Sequence, residues 1–271
     1  MENTARLSII SQNFNGFKGS SMDTVAGYLK EYEADIIAGQ ELPANINEEK
    51  FMEYNGLSGL FDGTAEKGSV FFTGFYVNNK NYAGRLVLDK KISKIWDGVP
   101  KEYTKSLSFR DGFWCEKWIE FCGEKIRVIN IHISPTYCFA LRHSLLTYIA
   151  QIDNKYTIIL GDFNAAKNEQ TEESIPENDA FLREIEGENY CELISEDESK
   201  TGKGHYTRYS IKEGIKKGRK LDHIFVSKAF YEEFNYEIKY IDEVSNTHPD
   251  YESSEFAFTD HSGIKVSFWE K

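Results

Sequence analysis

Residues 156–165 read Tyr156-Thr157-Ile158-Ile159-Leu160-Gly161-Asp162-Phe163-Asn164-Ala165. Thr157 to Leu160 is a short apolar, β-branched run, the pattern of a strand buried on both faces, and Gly161 reads as its end. Asp162 and Asn164 are two residues apart, so in extended or turn geometry their side chains share one side of the backbone. A carboxylate and an amide at the end of a buried strand are polar groups on a rigid support, where reactive groups are best placed. The same residues also suit an Asp/Asn turn capping the next element, and this stretch alone does not separate the two readings.

Outward from this stretch, other short strands end in polar residues. Leu7 to Ser11 reads as a first strand, followed by a polar, glycine-terminated loop, Gln12-Asn13-Phe14-Asn15-Gly16. Met22, Val25, Ala26, Leu29 and Tyr32 have helical spacing, with Ser20 or Ser21 as cap. Ala34 to Ala38 is a second strand and runs into Gly39-Gln40-Glu41-Leu42-Pro43. Ser69 to Asn78, Arg85 to Leu88 and Phe113 to Cys122 are strand-like, and the last turns into Ile126 to Ile133. There Ile126, Val128, Asn130 and His132 alternate with Arg127, Ile129, Ile131 and Ile133, which delivers His132 to the far end of a strand. Pro135 breaks that run, and Phe139 to Ile152 reads as a helix returning to the Tyr156 strand, an order that suggests layered α/β packing.

Further on, a short helix is expected at Asp179 to Glu186, and strands at Leu221 to Ser227, Glu237 to Ile241 and Ile264 to Phe268. Asp222 and His223 begin the first of these, and Thr259-Asp260-His261-Ser262 precedes the last. Between residues 200 and 220, eight Lys or Arg residues face only Glu213 as an acid, with Tyr206 and Tyr209 interleaved. A solvated hairpin would explain such a segment, and so would a phosphate-tracking surface.

Composition sets the bounds. The 271 residues are 40% hydrophobic with 19 Phe and 16 Tyr, enough for a packed core and unlike a disordered chain. The net charge of −12 argues against a broad basic face coating nucleic acid, though not against an enzyme with a local basic groove. Cys115, Cys122, Cys138 and Cys191 have no zinc-ligand spacing and read as reduced packing residues. The N-terminus offers no signal-peptide core and no run is long and apolar enough to span a membrane, so the expectation is a cytoplasmic protein with no membrane partner. No repeat, low-complexity tract or interior linker interrupts residues 1–271, which read as one domain, a monomer by default.

Collected, the polar residues at strand ends are Asn13, Glu41, His132, Asp162, Asn164, Asp222, Asp260 and His261. Any one is an ordinary turn or core residue, but eight at successive strand ends are hard to explain as eight independent turns. Carboxylates and an amide suit a hard cation such as Mg²⁺. Histidines near phosphate donate hydrogen bonds to developing negative charge, and an Asp neighbour can hold and charge an imidazole.

The segments Gln12-Asn-Phe-Asn-Gly16, Gln40-Glu41, Asn130-Ile-His132, Gly161-Asp-Phe-Asn164, Lys220-Leu-Asp222-His-Ile-Phe-Val-Ser227 and Thr259-Asp-His261-Ser262 together resemble the endonuclease/exonuclease/phosphatase superfamily, in the family's order and over nearly the whole chain. The resemblance implies a four-layered α/β-sandwich: two mostly antiparallel sheets face to face, helices outside, and the site along one edge. It also implies metal-dependent phosphoester cleavage with Mg²⁺ or Mn²⁺. By match to the motifs, Glu41 would be the principal metal ligand, with Asn13 and Asp260 close by; Asp162 would orient or deprotonate the attacking water; Asn164 would hold the phosphate or that water. His261, oriented by Asp222, would contact the scissile phosphate, and His132, on the opposite side, would stabilise the phosphorane or assist the leaving group. Asn15, Arg208, Lys217, Arg219 and Tyr206 are the expected substrate-binding residues, the basic ones along a phosphate backbone and Tyr206 against bases.

Departures narrow the branch. Leu42-Pro43 stands where many family nucleases carry a phosphate-contacting residue, and His132 is similar to the deoxyribonuclease and sphingomyelinase branches rather than the abasic-site branch, which has Tyr there. Gly218-Arg-Lys-Leu-Asp222 lacks the motif of the inositol-polyphosphate 5-phosphatases, and no apolar membrane hairpin of the sphingomyelinase kind is evident in the sequence. The expected function is hydrolysis of nucleic acid, DNA favoured, by an endo- or exonuclease. The alternatives are a phosphatase or phosphodiesterase of a small phosphoester or lipid headgroup, and an inactive binding module. The last predicts losses among Glu41, Asp162 and His261, and none is lost.

Overall fold

A computed structural model describes residues 6–17, 25, 27, 31–32, 34–43, 61–64, 71–77, 114–135, 138–152, 155–251, 253–254 and 257–271. The strands are β1 (Leu7–Asn13), β2 (Ile36–Pro43), β3 (Phe61–Thr64), β4 (Phe71–Val77), β5 (Trp114–Phe121), β6 (Glu124–His132), β7 (Thr157–Asp162), β8 (Tyr190–Glu192), β9 (Arg208–Lys212), β10 (Ile215–Arg219), β11 (Asp222–Ser227), β12 (Phe234–Ile241) and β13 (Gly263–Glu270). The helices are α1 (Cys138–Ile149), α2 (Pro176–Gly187), α3 (Glu196–Thr201) and α4 (Lys228–Glu233). One sheet has the order β12-β13-β1-β2-β4-β3 and the other β5-β6-β7-β11-β8, with β9 and β10 as a separate hairpin. Each sheet contains a single parallel pair, β1 with β2 and β6 with β7, and is otherwise antiparallel.

The layers follow from the two-residue period of the strands. Leu7 and Ile9 of β1, and Ile36 and Ala38 of β2, pack against Ile126 and Val128 of β6, Ile158 and Leu160 of β7, and Ile224 and Val226 of β11. The alternate residues Ile129, Ile131, Ile159 and Phe225 face outward and are covered by Leu141 and Leu145 of α1 and Phe181, Leu182 and Ile185 of α2. This is an α/β sandwich with two mixed sheets face to face. Of the helix expected at Met22 to Tyr32, residues 25, 27 and 31 are helical; the rest, with the Ser20 or Ser21 cap, lies outside the described residues. The expected strand Arg85 to Leu88 also lies outside them.

The same alternation builds the site. Along β6 the inward-facing series Ile126, Val128 continues as Asn130 and His132; along β7, Ile158 and Leu160 continue as Asp162. In β1, Leu7 and Ile9 continue as Ser11 and Asn13. One end of the inter-sheet layer is therefore apolar and the other polar. Gln40 of β2 donates to Asn130 Oδ1 of β6 at 2.6 Å and Asn130 donates to Gly39 O at 3.1 Å, so two fully buried amides tie the sheets together beneath the polar end.

Three boundaries differ from the sequence reading. Gln12 and Asn13 end β1 rather than opening the loop, because their backbones pair with Gly39 and Gln40 across the parallel β1–β2 ladder. Glu41 lies inside β2, at a bulge between Gly39 and Leu42. Gly161 does not end β7; its φ of +135° is one that L side chains rarely adopt, and a Cβ there would lie 2.0 Å from Ile131 O of β6. The hairpin also presents Ile211 and Ile215, 73% and 62% exposed, an apolar tip that the charge pattern of the segment hides. Among the described residues, no helix is long and apolar enough to cross a membrane.

Candidate active site

Six strands carry their terminal polar side chains to one edge of the sandwich. Register accounts for most of it: His132 pairs with Asp162 across β6 and β7, and Asp162 with Asp222 across β7 and β11. Asn13 Nδ2 lies 3.0 Å from Asp162 Oδ2 and 3.4 Å from Glu41 Oε1, which joins the two sheets at this edge. His132 Nε2 is 3.3 Å from Glu41 Oε1 and 3.8 Å from Asp162 Oδ2. His261 Nε2 approaches the same Asp162 oxygen at 4.0 Å, while its Nδ1 is 2.8 Å from Asp222 Oδ2. Asp162 thus sits between two imidazoles.

Asn164 is pinned from three sides. Its backbone N–H donates to Asp162 Oδ1 at 2.9 Å, its Nδ2 donates to Asp162 Oδ2 and to Ile133 O, and its carbonyl accepts from Arg142. Asn15, Glu41 and Asn164 adopt positive φ values of 44°, 49° and 44°. Such backbone costs of order 1–3 kcal/mol each and is held only where surroundings over-determine it.

Burial sets the electrostatics. Asp162 is 1% exposed, and burial, with the Asp222 charge beside it, pushes its carboxyl above the ordinary value against the pull of His261 and His132. For His261, burial alone would lower the pKa, but the charges of Asp222 and Asp162 outweigh it and the imidazole is pushed up to about 9. The site therefore pairs a carboxylate whose proton affinity is raised with an imidazole that stays protonated at neutral pH. That is an acid and base division of labour.

Asp260, expected near the metal, stands to one side. Its oxygens are taken by Asn15 Nδ2 at 2.6 Å and Arg208 at 2.8 Å. Burial alone would raise its pKa, but the charges of His261 and Arg208 outweigh it and hold the carboxyl below the ordinary value. Of the expected substrate contacts, Arg208 and Asn15 meet at Asp260, and Arg208 bridges to His261. Arg219 lies directly across the hairpin from Arg208, and Lys217 across from Ser210, so the three basic residues share one face. Tyr206 is not brought to the acid–imidazole centre; its ring lies against Gly218, where a Cβ would be 2.2 Å away, edge-on to Tyr209.

Much of the basic segment is neutralised. Lys220 is 1% exposed and buried against Glu192 at 3.1 Å and Glu198 at 2.8 Å, Lys212 pairs with Glu173, and Lys200 with Glu196. These acids come from distant or flanking sequence, which a window on residues 200–220 does not see. His223, on the helix-facing side of β11, bonds Glu192 and Ala165 O at 2.7 and 2.8 Å and is structural. Thr207 was not anticipated: its hydroxyl donates to Asp222 Oδ2 at 2.6 Å and accepts from the Leu221 and Asp222 N–H groups, fixing the carboxylate that holds His261. Its place two residues ahead of Tyr209 carries no signal of this.

The donor set fits a hard divalent cation. Glu41, His132 and Asp162 offer ligand atoms all within 4.8 Å of one another, as do Asp162, Asp222 and His261. The Glu41 and Asp162 carboxylates are the hard oxygen donors Mg²⁺ or Mn²⁺ prefers, while Asn13 turns its Nδ2 toward them and its Oδ1 to the Asn15 N–H at 2.9 Å.

Solved structures share this architecture. The catalytic domain of Xenopus laevis APE2 superposes with a TM-score of 0.65 at 17% identity, covering 98% of this chain and 92% of that one. D. rerio TDP2, complexed with a single-strand DNA product, gives 0.63 at 18% identity and covers 97% and 99%. The endonuclease domain of TRAS1, a telomere-specific non-LTR retrotransposon, gives 0.61 at 12% identity and covers 98% of each chain. No curated protein sequence matches the chain. A family description matches residues 10–261, from within β1 to the imidazole that closes the site, and on that span the chain belongs to the endonuclease/exonuclease/phosphatase family.

Proposed function

We propose that the chain is a Mg²⁺- or Mn²⁺-dependent phosphodiesterase that hydrolyses nucleic acid. The observation that carries this is the meeting of Glu41, His132, Asp162 and His261 around one point at the sandwich edge. Glu41, with Asp162 beside it, would hold the cation, which when bound supplies Lewis-acid stabilisation of the phosphoryl oxygens, and the Asn13 Nδ2 steadies both carboxylates. Asp162, with its raised proton affinity, takes the proton of the attacking water, and Asn164 holds that water in line. His261, protonated and anchored by Asp222, donates to the phosphoryl oxygen. His132, on the other side of Asp162, serves the leaving oxygen.

A polymeric substrate is supported by the shared basic face of Arg208, Arg219 and Lys217 leading away from His261, and by TDP2, a fold relative solved with single-strand DNA. The exposed Ile211 and Ile215 are the observation behind a second reading, a lipid-headgroup phosphodiester, which the fold relatives do not favour. A cytoplasmic setting is proposed from the sequence reading of the four cysteines as reduced packing residues. Cleavage of plasmid and oligonucleotides with Mg²⁺, with Mn²⁺ and with chelator tests the first reading. Turnover is expected only with metal and is expected to fall by about 10²–10⁴ in Asp162→Asn. A folded preparation inert on every nucleic acid but active on phosphomonoesters or headgroup diesters sinks the nuclease reading. Unchanged turnover in Asp162→Asn sinks the mechanism.

A further inference from the structure

A second cluster of metal-ligating side chains shares no residue with the active site. His205, just before β9, places Nε2 2.9 Å from Asp242 Oδ1; His248 places Nε2 3.9 Å from Asp242 Oδ2. All three ligand atoms lie within 4.8 Å of one another. Each ring is held from behind. His205 stacks on Tyr240 at 3.8 Å and 9°, and His248 lies edge-on to Tyr209 at 5.1 Å and against Tyr251 at 5.3 Å. The His248 and Asp242 side chains are 9% and 17% exposed, and Asp242 opens onto a cavity of about 470 Å³ whose lining includes Asp197, Glu198 and His205. Two imidazoles and one carboxylate form the donor set of a borderline-soft ion with a fourth, open position; a hard Mg²⁺ ion prefers oxygen.

We propose that His205, Asp242 and His248 form a second metal site, for a zinc-class divalent ion, that clasps the loop carrying Asp260 and His261 to the start of β9. The three ligands come from the segment entering β9, the turn after β12 and the loop that follows it. Thr247, next to His248, donates its hydroxyl to Asp260 O at 2.8 Å, and Asp260 in turn binds Arg208 of β9. A bound ion therefore closes a ring through both sides of the active-site loop. Ligation needs His248 Nε2 to move toward Asp242, the 2.9 Å hydrogen bond between His205 Nε2 and Asp242 Oδ1 to open around the ion, and both nitrogens to carry the lone pair. The Asp250 N–H contact to His248 Nδ1 is 3.3 Å, long for a hydrogen bond, so the opposite tautomer is weakly held.

The test is metal binding by the whole chain after stripping with chelator. Calorimetric titration with Zn²⁺ is expected to give a tight equivalent in wild type and in Glu41→Gln, lost by at least tenfold in affinity in both His205→Asn and His248→Asn. Zn²⁺ is likewise expected to raise Tm in wild type and Glu41→Gln but not in the His variants. X-ray absorption at the zinc edge, read on Asp162→Asn so that no substitution touches the proposed ligands, is expected to show two imidazole ligands. An equivalent lost in Glu41→Gln but kept in both His variants, a zinc shell with one imidazole or none, or no Zn²⁺ bound at micromolar concentration would each overturn the proposal. None of these outcomes depends on whether the chain cleaves nucleic acid.

Discussion

At the scale of single residues, Asp222 and His261 form the pair with the clearest pH signature. The folded pKa of His261, about 9, lies above its ordinary 6.5, so its contribution to stability is fully present below pH 6.5 and is lost as pH rises through about 9. At ~1.4 kcal/mol per pKa unit the ceiling is about 3 kcal/mol. Urea unfolding of chelator-treated protein below and above this window is expected to show a drop in wild type that is absent in His261→Gln. The residues that meet at the sandwich edge were legible because each motif joins a strand pattern to a specific polar type: Asp162 with Asn164, Glu41 after Gln40, His261 after Asp260. Thr207 was not, since a lone Thr acquires its meaning only from the Asp222 carboxylate 2.6 Å away. Asp260, Asn15 and Arg208 were each legible as site residues, but the pairing of Asp260 with the other two was not, because it joins residues far apart in the chain.

At the scale of elements, the run Thr157 to Leu160 read as a strand buried on both faces, and the structure puts Ile158 and Leu160 in one core and Ile159 in the other. Strand ends were harder to read, because polar residues signal loops unless a partner pairs them; Asn13 opposite Gln40 remains strand. Gly161 is the sharpest case. Sequence convention reads it as a terminator, yet it lets β7 pass against Ile131 O. Gly161→Ala is therefore expected to cost more than about 3 kcal/mol, through positive φ and a clash with immovable backbone, checked by a lowered urea midpoint or loss of soluble protein. On the hairpin, Lys217→Ala is expected to weaken binding of DNA fragments regardless of sequence and to reduce the slope of log affinity against log salt by about 0.9, read by fluorescence anisotropy. An unchanged slope would remove the β9–β10 face from the substrate path.

At the scale of the whole molecule, sheet order lay beyond sequence reading, because pairings such as Leu7 with Phe268 join residues from opposite ends of the chain and no local pattern encodes them. The buried cluster around Lys220 was misread as surface charge for the same reason, since Glu192 and Glu198 reach it only through the fold. Lys220→Met leaves those carboxylates short of a cation in a buried setting and is expected to destabilise by about 3 kcal/mol, measured by chemical denaturation. The place of β13 between β12 and β1 has a consequence for biosynthesis. Until the ribosome has released residues 263–270, β1 lacks its antiparallel neighbour and the segment bearing His261 lacks the strand it leads into. The sheet that carries Asn13 and Glu41 therefore gains its β13 and β12 edge late in synthesis, after every strand of the facing sheet has emerged.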